Sequence, residues 1–139
     1  MNEQSQFHLL NKRMTNYLIL VLFISIPFIS QGTYAVIDPD ELFATGMKHF
    51  SDNRFNEAIS SFTQAEKGYR VLNNTKQIIG CRMGIATCFF AKGNVKKALE
   101  YNESALKLHA REIKNDQKGY DQIKGNIALC KEVIQRTNH

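Results

Sequence analysis

Apolar residues recur at three- and four-residue intervals along most of the chain after residue 38, with polar residues between them. This spacing is typical of helices that bury one face. It predicts helices over residues 38–52, 55–72, 75–92, 94–113 and 117–137. Short polar segments separate these stretches, and no stretch alternates apolar and polar residues long enough to indicate a strand. The sequence therefore predicts an all-α domain of five helices.

Residues between the predicted helices have the chemistry of helix ends. Asp38 precedes Pro39, so its carboxylate is expected to accept from the free amides of the first helix, where proline fits the first position. Gly93 is expected to adopt the left-handed conformation that ends the third helix, and Asn94 to cap the fourth. These signals place the turns independently of the apolar spacing.

A denser apolar run lies nearer the N-terminus, over residues 17–29, after a polar stretch that ends with Lys12 and Arg13. The run is shorter than the ~20 residues that a transmembrane helix needs. A basic region, a short apolar run and then small residues are typical of a signal peptide, with cleavage after Gly32 or Ala35. We therefore expect residues 1–35 to direct export of the rest of the chain.

An uncleaved membrane anchor is the alternative interpretation of the same segment. Lys12 and Arg13 would then hold the N-terminus in the cytoplasm. In both interpretations residues 36–139 form a separate domain outside the cytoplasm, periplasmic or extracellular if the signal is cleaved and membrane-attached if it is not.

The helical region repeats itself with conserved gaps between small and large residues. Gly46, Phe55, Ala58, Phe62 and Ala65 are matched, 40 positions later, by Ala86, Val95, Ala98, Asn102 and Ala105. Small residues at such positions allow two antiparallel helices to cross closely. Residues 85–88 and 127–130 are also similar, which extends the repeat into the fifth helix.

This pattern, small-x8-aromatic or aliphatic-x2-Ala-x3-large-x2-Ala, resembles the tetratricopeptide repeat (TPR) family in its longer variant. The spacing of about 40 exceeds the usual ~34, and Asn102 replaces a bulky residue. The resemblance implies antiparallel helix hairpins stacked as a short right-handed solenoid. Its repeats would cover residues 39–74 and 75–114, with residues 117–137 as a half-repeat that caps the stack.

The resemblance also implies a concave groove, lined by the first helix of each repeat, that grips a peptide. The expected groove residues are Phe43, Met47, Phe50, Met83, Thr87, Phe90, Leu129 and Val133. Aromatic and methionine side chains are favoured at adaptable recognition surfaces, although an aromatic stripe is also typical of a core. Lys48, Arg82 and Lys124 would add charge at the edge or simply form a solvated face.

Charge and reactive residues indicate binding rather than chemistry. The net charge is +5, but the basic residues are scattered and form no run dense enough for a nucleic-acid arm. No catalytic, cofactor or metal-binding motif occurs, and the three cysteines are interpreted as buried free thiols. His49 and His109 are interpreted as half-buried helix residues without a carboxylate partner at catalytic spacing.

The sequence thus predicts an exported, non-enzymatic protein–protein interaction module of TPR type, an adaptor or scaffold. It would bind a protein or peptide segment in an apolar groove, without cofactor, metal or nucleic acid, and would meet a membrane only through an uncleaved N-terminal segment. The alternative is a structural subunit or assembly factor whose half-repeat stacks on a partner chain or on a second copy of itself.

Overall fold

Five α-helices make up residues 38–137, the part of the chain that the computed structural model describes. They are α1 (Pro39–Ser51), α2 (Phe55–Val71), α3 (Thr75–Ala91), α4 (Val95–Glu112) and α5 (Gln117–Thr137). Each predicted boundary is confirmed to within one residue, and residues 38–137 contain no strand. None of the five helices is both long and apolar enough to cross a membrane. The predicted signal or anchor lies outside the described residues.

The turns between helices share one construction. A residue with a positive φ follows each of the first four helices, two positions after the helix end at Asn53 (59°), Asn73 (53°) and Gly93 (77°), and three positions after it at Asn115 (66°). Asparagine and glycine are the residues that tolerate this conformation best. In the first three turns the next amide donates to a carbonyl five residues back: Arg54 N to His49 O, Asn74 N to Tyr69 O and Asn94 N to Phe89 O. The expected left-handed Gly93 is confirmed.

Side-chain caps fix the starts of α1, α3, α4 and α5, whereas α2 has no side-chain cap. Asp38 Oδ1 accepts from the Asp40 amide at 2.9 Å, and Asn94 Oδ1 accepts from the Lys97 amide at 3.2 Å. Both are the caps that the sequence predicts. Asp116 does the same for α5, since its Oδ1 accepts from the Gly119 amide at 3.0 Å.

Each helix packs against its neighbours in the chain, α1 on α2, α2 on α3, α3 on α4 and α4 on α5. The small residues of the repeat lie at these contacts: Ala58, Ala65, Ala98 and Ala105 have no exposed surface, and Ala86 is 1% exposed. This confirms the prediction that small side chains let the helices approach.

Phe62 shows how the first repeat is filled. Its side chain is 1% exposed and lies between two glycines, Gly46 on α1 and Gly84 on α3. A Cβ atom on Gly46 would lie 2.8 Å from the Phe62 ring, and one on Gly84 would lie 3.0 Å from it. The ring also packs against Phe43, with 5.3 Å between centroids. The two glycines therefore make the space that the large ring occupies.

The three cysteines, Cys81, Cys88 and Cys130, are buried free thiols, as the sequence predicts. Burial raises the pKa of each thiol, and raises that of Cys81 to about 12 with a further contribution from Glu66. A raised pKa keeps a thiol protonated and unreactive. These side chains therefore act as small apolar groups in the core.

Candidate functional site

A cleft between α3 and α5, floored by α4, brings together half of the residues predicted for the groove. We call it the α3–α5 cleft. One cavity lies toward the carboxyl-terminal ends of α3 and α5 and is lined by Thr87, Phe90 and Leu129. A second cavity lies toward the amino-terminal ends of the same two helices and is lined by Met83. The two cavities are named below after the α4 residue that each contains.

The Asn102 cavity has a volume of about 110 Å³. Its wall consists of Ala86, Thr87, Phe90, Asn102, Asn126, Leu129 and Cys130. Asn102 is 4% exposed, and its Nδ2 makes a long contact of 3.9 Å with the Cys130 sulfur. Its Oδ1 is buried without any hydrogen-bond partner. A buried amide oxygen in this state costs free energy, about 1–3 kcal/mol.

The repeat explains why a cavity exists here. Asn102 stands where the first repeat has Phe62, and Ala86 and Asn126 stand where it has Gly46 and Gly84. Ala86 and Asn126 leave less room than the two glycines do, and Asn102, which is smaller than phenylalanine, leaves part of the remaining space unfilled. The second repeat therefore has a partly polar cavity where the first has a filled core.

The His109 cavity has a volume of about 310 Å³ and is lined by residues of α3, the end of α4 and the start of α5. His109 is 4% exposed, and its Nε2 lies 3.3 Å from Asp116 Oδ2. The prediction that His109 is half-buried and lacks a carboxylate partner is therefore wrong. The partner lies in the turn after α4, where the left-handed Asn115 brings Asp116 back toward the helix.

Asp116 joins two roles in one carboxylate. Its Oδ1 caps α5 through the Gly119 amide, while its Oδ2 faces His109. The bond from Gly119, followed by the one from His109, lowers the pKa of Asp116 below its ordinary value. The His109 ring also packs against Tyr120, with 5.9 Å between centroids. No serine, threonine or cysteine lines the His109 cavity.

Two buried side-chain polar atoms lack a hydrogen-bond partner within residues 38–137, Asn102 Oδ1 and His109 Nδ1. Both belong to α4 and are seven residues apart, so they lie on the same helix face about two turns from each other. Each residue lines one of the two cavities of the α3–α5 cleft. Since buried polar groups are normally paired, this coincidence marks the cleft as the candidate functional site.

The Asp116→Asn variant should lose less stability than the native protein when the pH is lowered into the acid range. Because the folded-state pKa of Asp116 is lowered, its charge stabilises the fold above the unfolded-state value of about 3.9, and this contribution is lost as pH falls through the folded value. Asparagine keeps an oxygen for the Gly119 amide but carries no charge. We expect the native protein to be more stable than the variant near pH 6, with the difference shrinking below about pH 4.

Urea unfolding at a series of pH values measures this difference. Glu100→Gln is the matched control, since Glu100 is an exposed carboxylate on α4 that makes no ion pair within the described residues. The two pH values to compare are about 6 and about 3, on either side of the unfolded-state pKa of about 3.9. If the stability difference between the native protein and Asp116→Asn were the same at both, the prediction would be contradicted.

The other predicted groove residues lie elsewhere. Phe43 packs on Phe62 in the core, and the Phe50 ring packs against Phe55 at 5.6 Å. Met47 is 51% exposed on α1. Val133 lines a separate cavity beside residues 92–96. Phe43 and Phe50 are therefore held by intramolecular contacts, and the α3–α5 cleft is the stronger candidate.

A scan against models of known protein families finds no match for the chain, and a search of curated proteins finds no significant relative.

Proposed function

We propose that this protein is an exported interaction module of TPR type, whose α3–α5 cleft binds an extended segment of a partner protein. The helix hairpins would stack as a right-handed solenoid, and the cleft would be the part of its groove that carries specificity. Five helices packed in chain order, with alanines at the contacts, support the TPR resemblance. Export rests on the basic and apolar pattern of residues 1–35.

The observation that carries the proposal is the pair of partnerless polar atoms on α4. Asn102 and His109 replace apolar packing with groups that the protein itself leaves unsatisfied, at a cost in stability. A ligand in the cleft would supply the missing partners and remove that cost.

The two atoms also define what the ligand must offer. In the neutral imidazole of His109, the proton belongs on Nε2, which faces the Asp116 carboxylate, and Nδ1 is left as an acceptor. Asn102 Oδ1 is an acceptor as well, so the ligand would present two donors. Seven residues of helix separate the two by about 10 Å, close to the length of three residues of extended chain.

The Asn102 cavity would receive one side chain of that segment. Its 110 Å³ is somewhat less than the ~150 Å³ of an engineered apolar cavity that holds benzene. A short aliphatic side chain therefore fits better than an aromatic ring. Phe90 and Leu129 would cover its apolar part, and Leu129 is 47% exposed without a ligand.

Stacking of the fifth helix on another chain is the less favoured alternative. The side of α5 opposite its buried residues Ile123, Ile127 and Cys130 is exposed and has no large apolar side chain: Asp121, Lys124, Gly125, Ala128, Glu132 and Gln135. A stacked interface needs an apolar core, whereas terminal repeats with a polar outer face cap a solenoid in solvent. The composition of α5 favours a cap.

Asn102→Leu is expected to abolish partner binding while raising stability. Leucine removes the unpaired oxygen and occupies part of the cavity, so the free energy of unfolding should rise by about 1 kcal/mol. Loss of binding could then not be attributed to unfolding. We suggest selecting a random-peptide display library on the full-length chain and measuring the affinity of the enriched peptides for both proteins.

The matched control is Gln64→Leu, which adds the same apolar side chain at an exposed position of α2. It should bind the selected peptides as the native protein does. The proposal fails if no peptide is enriched, or if the enriched peptides bind the Asn102→Leu variant with unchanged affinity.

A further inference from the structure

A second cleft, formed by α2 and α4 across α3, contains four basic side chains. Its cavity of about 600 Å³ is bordered by Arg70, Asn73, Thr75, Ile78, Arg82, Ser104, Lys107, Leu108, Arg111 and Glu112. Four cations from three different helices thus share this cavity with a single carboxylate. We call it the basic cavity. It lies apart from the α3–α5 cleft, and the two share no lining residue.

The cations of the basic cavity are only partly neutralised. Glu66 Oε1 accepts from Arg70 at 2.7 Å and from Arg82 at 3.0 Å, so that one carboxylate serves two guanidinium groups. Arg111 pairs with its neighbour Glu112 at 2.6 Å. Lys107 forms no ion pair within the described residues. An excess of positive charge therefore remains at the cavity.

Arg82 is the cation of the cavity that the fold holds in place. Its side chain is 15% exposed, and Nη1 donates to both the backbone oxygen and the hydroxyl of Ser104, at 3.2 and 2.8 Å. The prediction that Arg82 lies at a groove edge or on a solvated face is therefore wrong. Its guanidinium is fixed between α2 and α4, with Ile78 and Leu108 beside it in the wall.

We propose that the basic cavity binds a phosphate group. Arg70 on α2 and Lys107 and Arg111 on α4 line opposite sides of the cavity. Together they can donate several charge-assisted hydrogen bonds to one phosphate group. The hydroxyls of Thr75 and Ser104 supply further donors. Arg70, Lys107 and Arg111 are exposed and so are free to close on the ligand. Arg82 is already held in place.

Two sources of phosphate are compatible with this chemistry, a free phosphate compound and a lipid headgroup. Val71 and Leu72 follow Arg70 directly and are 81% and 62% exposed. An exposed apolar pair beside a basic cavity suits the surface of an anionic membrane. A soluble phosphate compound would use the cavity without this pair.

The test is calorimetric titration of inorganic pyrophosphate into the full-length chain in neutral detergent, at about 0.15 M salt to screen weak surface attraction. The variant Lys107→Gln with Arg111→Gln removes two exposed cations of the cavity. The control Lys48→Gln with Lys96→Gln removes two exposed cations elsewhere. Glutamine is a good helix former, and circular dichroism verifies that both variants are folded.

We expect the cavity variant to bind pyrophosphate at least about tenfold more weakly than the native chain, since two charge-assisted hydrogen bonds are lost. The control should stay within about twofold. Equal weakening in both variants, or no binding by the native chain, would overturn the proposal. Neither result bears on the peptide cleft, which the cavity variant leaves intact.

Micelles doped with phosphatidylglycerol or with phosphatidylcholine distinguish the two sources. Competition with pyrophosphate by phosphatidylglycerol alone identifies a lipid headgroup, and Leu72→Ser should then weaken that competition without changing pyrophosphate binding. Absence of competition by either lipid identifies a free phosphate compound. Competition by both lipids equally would overturn the headgroup assignment.

Discussion

Phe62→Ala should remove about 3–5 kcal/mol of stability, a loss typical for truncation of a fully buried phenylalanine. The ring is 1% exposed, lies against Gly46 and Gly84, and packs on Phe43. Neither glycine has a side chain that could move into the vacated space, so the cavity would stay open. Since small domains are stable by only 5–15 kcal/mol, urea unfolding should show a large shift of the midpoint.

Asn102→Ala is the matched control, because it truncates the equivalent position of the second repeat. That site already contains a cavity and an unpaired oxygen, so the change should cost less than about 1 kcal/mol. Equal losses for the two variants would show that the repeats are not filled differently, and would contradict the origin that we assign to the Asn102 cavity.

The helices and their turns are predictable from the sequence because local residues determine them. Asp38 and Asn94 cap the helices that follow, and Gly93 adopts the left-handed conformation expected of it. The buried alanines follow from the repeat, since equal gaps place equivalent residues at equivalent contacts. Such features depend on residues within one or two turns, or on the spacing itself.

The candidate site is less predictable because the shape of its cavities depends on how residues from different helices and turns pack together. Thr87, Phe90 and Leu129 are expected from the resemblance and do line one cavity. The meeting of His109 with Asp116 depends on the path of the turn after α4, which the spacing of the residues does not specify. The basic cavity draws Arg70, Arg82 and Lys107 from three helices, and their separation in sequence makes them look like scattered surface charges.

One signal in the sequence does point to the site. Asn102 departs from the repeat at a position where the pattern requires a bulky residue. In a fold built from repeats, a residue that departs from the pattern either removes a packing contact or adds a function. The unpaired Asn102 oxygen, together with the His109 nitrogen on the same face, favours the second explanation.

Ala98→Leu should destabilise the domain by about 1–3 kcal/mol, the usual cost of forcing extra atoms into a filled core. Ala98 has no exposed surface and belongs to the hairpin of α3 and α4. A leucine there would push the two helices apart. Because α3 and α4 also form the wall and floor of the cleft, binding of the peptides selected on the native chain should weaken together with stability.

Ala110→Leu is the matched control on the same helix, since Ala110 is exposed and the added side chain meets only solvent. Its unfolding free energy should stay within about 0.5 kcal/mol of the native value. Thermal and urea unfolding of the two variants measure the contrast. If Ala98→Leu were as stable as Ala110→Leu, the α3–α4 contact would not depend on an alanine-sized residue. The close helix crossing inferred from the repeat would then be wrong.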